Sequence, residues 1–128
     1  MARTEQWKKQ PDAHDYPAAQ DYLSLVFPES TAASLVRRLK TAPLVQRKAK
    51  DLLRSSQLPL LPETNFHVRA DLKKVRKGQL LSPVLLIRGN AKVGLPLTIA
   101  DGYHRVCTSY HIDEDANIPC RIADLPGR

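Results

Sequence analysis

The residues best suited to chemistry stand together at Asp101-Gly102-Tyr103-His104-Arg105. Glycine permits a tight turn and lets a ligand approach the backbone closely. If a helix follows, its first N–H groups and the positive end of its dipole form an anion site. Arg105 adds a forked donor matched to phosphate, and His104 a donor whose charge responds to pH. Asp101 beside such a site can hold Mg2+ or act as a general base, as suits phosphoryl transfer or phosphodiester hydrolysis. It can equally cap the following helix. Asp101 and His104 are therefore the candidate catalytic residues, and Asp101 the candidate metal ligand. The plainer reading is a helix start whose His and Arg are solvated.

Other reactive side chains point less clearly. His67 and His111 have no partner at metal-ligand spacing, and no Cys/His cluster suggests zinc. Asp113-Glu114-Asp115 reads more simply as a solvated loop than as a cation site. Cys107 and Cys120 make no disulfide framework, which favours reduced thiols and a cytoplasmic setting. Cys107 is expected as a buried structural residue. Trp7 and the tyrosines do not interleave with the basic residues as platforms for single-stranded nucleic acid would.

The elements that must position the box follow from periodicity and breakers. Residues 1–16 are charged and turn-rich and are expected as a flexible arm. A helix is expected after Pro17, with Tyr22, Leu23, Val26 and Phe27 on one face until Pro28 stops it. Ser30 or Thr31 can cap a second helix that turns Leu35, Val36 and Leu39 inward. Pro43 suits the first turn of a third, with Val45, Ala49, Leu52 and Leu53 as its apolar stripe. Arg47, Lys50 and Arg54 would form a basic stripe on that helix, giving a candidate nucleic-acid surface of helix-turn-helix type or, more simply, a packed helical hairpin. Leu58-Pro59-Leu60-Leu61-Pro62 reads as a connector. A fourth helix is expected over His67 to Lys77, ended by Gly78. Strands are expected over Pro83 to Arg88, Leu95 to Ala100 and Ile118 to Ile122, with a helix from Tyr103 to His111. The order predicts an α+β domain, with a basic helical segment over 17–62 and the core over 63–128.

Length and charge bound the function. The 128 residues fit one compact domain, long enough for a core without staples. No apolar run reaches the roughly 20 residues of a membrane span, and Met1 to Gln10 carry no secretory signal, so no membrane role is expected. The formal net charge is +7, and Val36 to Lys77 hold 12 Lys or Arg against three acids. Such a stretch attracts phosphates on nucleic acid, nucleotide or lipid, or is a solvated helical face.

From Asp71 to Ile122 the chain resembles the ParB/sulfiredoxin-like superfamily. The resemblance is carried by a helix ending at Lys77-Gly78, the strand Ser82-Pro83-Val84-Leu85-Leu86-Ile87, the box Asp101-Gly102-Tyr103-His104-Arg105, and the ending Ile118-Pro119-Cys120-Arg121-Ile122. It implies a small mixed sheet and a site for a nucleoside triphosphate, ATP or CTP, with Mg2+. Gly102, Tyr103, His104 and Arg105 would then bind phosphate, helped by Lys74 and Lys77. Tyr103 stands where sulfiredoxins carry their nucleophilic cysteine, so reductase chemistry is not expected. Phosphohydrolase or phosphotransfer activity is compatible with the resemblance, as is a nuclease-like role. Partition ParB proteins continue into a DNA-binding region, whereas this sequence runs only to Arg128, so DNA is expected to meet the basic N-terminal helices. The expected partners are a nucleotide, and beyond it DNA and a second copy of the chain in a homodimer. A bacterial origin, in a partition system or mobile element, fits the same resemblance.

Overall fold

The computed structural model describes residues 6–126. A short strand β1 (Gln6–Trp7) leads through turns to helices α1 (Asp15–Val26) and α2 (Glu29–Thr41). Strand β2 (Leu44–Lys48) and helix α3 (Ala49–Ser56) follow directly, and the proline-bracketed connector runs to α4 (Phe66–Arg76). Then come β3 (Leu80–Leu81), β4 (Val84–Ile87), β5 (Thr98–Asp101), α5 (Tyr103–Ile112) and β6 (Asn117–Ala123). The main sheet has the order β2-β6-β4-β5, with β4 and β6 parallel and the outer pairs antiparallel. It is a mixed sheet in an α+β domain.

Strand alternation explains how the helices are divided. Successive residues of a strand face opposite sides, and every residue of β4 is buried. Val84 and Leu86 pack with Leu52, Val68, Val106 and Ile118 beneath α3, α4 and α5. Leu85 and Ile87 pack with Ala19, Leu23, Leu35 and Leu39 of α1 and α2. Both sheet faces are thus covered, which is why Val84–Ile87 reads as an unbroken apolar run. None of the helices among the described residues is long and apolar enough to cross a membrane.

Three expectations are corrected. The arm expected over 1–16 is packed from residue 6 onward, while residues 1–5 lie outside the described residues. Gln6 and Trp7 pair in parallel with Leu80 and Leu81, Lys8 N–H donates to Leu81 O at 2.8 Å, and Asp12 N–H donates to Ser82 Oγ at 3.0 Å. Helix α1 starts at Asp15 and buries Asp15, Ala19 and Leu23, while Tyr22 and Val26 of the expected inner face are exposed.

The third correction concerns Leu44–Lys48, expected within a helix and found as an edge strand paired along its length with β6. Arg121 supplies a reason. Its guanidinium donates to Leu39 O, Lys40 O and Ala42 O, closing the C-terminal end of α2 and holding the chain against β6. A five-residue run with two half-buried residues followed by three exposed ones fixes neither period, and here pairing with a buried strand wins. The expected basic helical stripe does not form, because Arg47 lies on β2 while Lys50 and Arg54 lie on α3.

Candidate functional site

The box falls at the junction of β5 and α5. Asp101 ends the strand and Gly102 turns the chain at φ 110, where L side chains are strained. A Cβ on Gly102 would lie 2.4 Å from Val84 Cγ1, so the turn is also pressed against the core. Helix α5 begins at Tyr103 with no side-chain cap. Asp101 is bonded to Arg105 instead, and among the described residues no side chain caps the first N–H groups of α5, which keep the unpaired state that helix geometry imposes.

Beside this turn lies a cleft of about 390 Å³, walled by α5, α4, the start of α1 and the residues before it. Gly102, His104 and Arg105 line it from the box, and His67, Asp71 and Lys74 from α4. Lys8, Asp12, His14, Asp15 and Ser82 close the remaining side. The sequence-expected residues Asp101, Gly102, His104, Arg105 and Lys74 are thus brought together. Lys77 closes the C-terminal end of α4 and does not line the cleft. Tyr103 turns away, donating its hydroxyl to Pro59 O in the connector. Arg47, Lys50 and Arg54 are elsewhere too, with Lys50 paired to Asp115 at 2.7 Å and Arg54 to Asp51 at 3.4 Å.

Arg105 is committed within the protein. Its Nη2 pairs with Asp101 Oδ2 at 2.5 Å, and its Nη1 donates to Ser82 O at 2.5 Å and reaches Asp15 Oδ2 at 3.4 Å. Its side chain is only 14% exposed and that of Asp15 only 7%. Ser82 donates its hydroxyl to the same Asp15 carboxylate. The guanidinium that sequence assigns to phosphate therefore ties β5, the β3–β4 turn and α1 into one frame.

The cleft's fixed charges nearly cancel although the chain is strongly basic. Lys8 meets Asp12 at 2.7 Å, Lys74 lies 3.9 Å from Asp71, and Arg105 faces Asp15 and Asp101. An anion entering here is therefore balanced by the α5 N-terminus, by protonated histidine or by a cation brought with it.

Titration is shifted accordingly. Burial pushes the Asp71 carboxyl up, against the pull of Lys74, Arg105 and the two histidines. Burial likewise pushes Asp101 up, opposed by Arg105 and reinforced by Asp15. The Lys8 hydrogen bond holds Asp12 below the usual carboxylate range. His104 is held down by burial and then by His67, with Asp71 pulling the other way. Its ring lies 4.5 Å from that of His67, centroid to centroid. A neutral imidazole beside an anion-attracting helix end can accept a proton as an anion binds.

Two groups of carboxylates bear on the expected Mg2+ site at Asp101. Asp101 is engaged by Arg105. Ligating atoms of Asp12, His14 and Asp15 lie within 4.8 Å of one another. Mg2+ takes one or two carboxylates together with substrate phosphates and water. These carboxylates are engaged as well, Asp12 Oδ1 by Lys8 and Asp15 Oδ2 by Ser82 and Arg105, so a cation there would meet the second oxygen of each.

Lys8, Asp12, His14, Asp15, His67, Asp71 and Ser82 were not legible as site residues. His67 and Asp71 share a helix face at i, i+4, a signal that sequence does carry. The contribution of residues 8–15 depends on the β1–β3 pairing, which spans more than 70 positions. Comparison with known proteins finds no matching family model, no matching curated protein and no matching solved structure.

Proposed function

We propose that this cleft binds a nucleoside triphosphate, carried in as its divalent-cation complex, and that the chain is a nucleotide-binding protein of the ParB/sulfiredoxin-like type. The observation that carries the reading is the uncapped N-terminus of α5, which opens at Gly102 and His104 onto a cleft lined by three fixed cations and four carboxylates. Phosphate oxygens would accept from the first N–H groups of α5, with His104, His67 and Lys74 as side-chain donors. The slight excess of carboxylates favours a ligand whose own cation offsets its phosphates, and Asp12 and Asp15 stand at the wall where that cation would be held. Arg105 positions the frame and does not itself grip the ligand.

The resemblance supports the same reading through element order. Helix α4, Gly78 at φ 75, strand β4, the box with α5, and β6 follow one another in the order on which the resemblance rests. Hydrolysis would extend the same reading, with His104 and Asp71, which both line the cleft, placed to take the proton of an attacking water.

Calorimetric titration with ATP, CTP, GTP and ADP, with and without Mg2+, tests the proposal. Saturable binding strengthened by Mg2+ and weakened in His104→Ala supports it. Absence of binding to every nucleotide, with salt-sensitive binding to DNA instead, would overturn it.

A further inference from the structure

We propose that the ring row Phe66–His67–His104 is a base-stacking subsite, so that the cleft selects nucleotides over simple polyphosphates. The inference rests on the phosphate reading above and names the other half of that ligand. Phe66 is one of only two phenylalanines in the chain and is 70% exposed. It joins neither core cluster. Its ring instead stacks on His67 at 5.3 Å with 22° between planes. His67 continues to His104 at 4.5 Å, and His104 to Tyr103 at 5.7 Å.

The row is held at both ends. Asn65 caps α4 by accepting from His67 N–H at 3.0 Å and Val68 N–H at 3.1 Å, fixing the first turn that carries Phe66 and His67. At the inner end Tyr103 is tied to Pro59 O, which fixes the start of α5 beside His104. His67 and His104 line the cleft, so an exposed aromatic face leads by two ring steps to the proposed phosphate site. That reach is short enough for the base and the phosphates of one nucleotide. A planar base covers the Phe66 ring while its polar edge stays wet, and stacking of this kind tolerates every base.

The test compares binding of Mg2+-tripolyphosphate with that of ATP, CTP, GTP and UTP, in the native chain and in Phe66→Ala, Phe66→Leu and Phe66→Tyr. Native protein is expected to bind at least one nucleotide about tenfold or more tighter than tripolyphosphate. Phe66→Ala and Phe66→Leu are expected to erase that difference while leaving tripolyphosphate binding unchanged, and Phe66→Tyr to keep it. Because Phe66 is exposed, the thermal midpoint should stay the same across the set. Equal affinity for nucleotides and tripolyphosphate, or a difference that survives Phe66→Ala, overturns the stacking subsite and leaves the phosphate site standing. Failure of both ligand classes to bind overturns both.

Discussion

Arg105 on α5 lies 3.4 Å from Asp15 on α1, ninety residues earlier in the chain, and both side chains are almost closed off from water. The contact joins the box to the start of α1, so the cleft has a wall on that side. It also changes what Arg105 is for. A guanidinium already shared among Asp15, Asp101 and Ser82 O orders the site more than it binds a ligand.

Removing Arg105 should therefore cost stability before it costs binding. Arg105→Ala leaves two partly buried carboxylates without their cation, and loss of one partner of such a pair costs about 3–5 kcal/mol. Arg105→Lys should recover only part, since an ammonium cannot fork between the two acids. Urea unfolding of the three proteins checks this, and an unchanged midpoint in Arg105→Ala would contradict it.

Gly102 should tolerate no side chain. At φ 110, with Val84 Cγ1 at 2.4 Å from an added Cβ, Gly102→Ala is strained in backbone and in packing. The expected loss is about 2–4 kcal/mol, seen as a lower thermal midpoint. Phosphate affinity should fall too, because the start of α5 must move away from Val84.

Anion binding should strengthen as pH falls. Burial and His67 hold free His104 below the ordinary histidine value. A bound phosphate favours the charged imidazole, so binding takes up a proton, and affinity rises as pH drops through the interval between the bound and free values. The slope is at most about tenfold per pH unit for each proton. His104→Ala should flatten it, which titration at several pH values would read directly.

Much of this arrangement follows from local sequence. The α4–β4–β5–α5–β6 order needs only periodicity, Gly78 and the Asp101-Gly102 break, and the expected ends lie within a few residues of those found. Leu44–Lys48 escaped because its pattern suits a helix as well as an edge strand, and pairing with β6 decides between them. Residues 6–16 escaped for another reason. Their polar composition resembles a solvated arm, and the partners that hold them, among them Leu80–Leu81, Ser82, Arg105 and Arg121, lie far along the chain. The charge balance of the cleft was illegible because net charge does not reveal which side chains meet.

Both thiols should be silent in the folded protein. Cys107 and Cys120 are fully buried; burial pushes the Cys107 thiol up and carries that of Cys120 to about 11. A thiol-reactive chromogen at pH 8 should label neither until denaturant is added, and should then label both. Fast labelling of Cys107 in the native state would contradict the packing beneath α5.

The most direct measurement is a map of backbone amide shifts on addition of Mg2+-nucleoside triphosphate. The account predicts saturable shifts concentrated at Gly102, Tyr103, His104, His67 and Lys74, with the amides of Arg47, Lys50 and Arg54 unmoved. Shifts confined to Arg47, Lys50 and Arg54, or none at saturating nucleotide, would contradict a phosphate site at the start of α5.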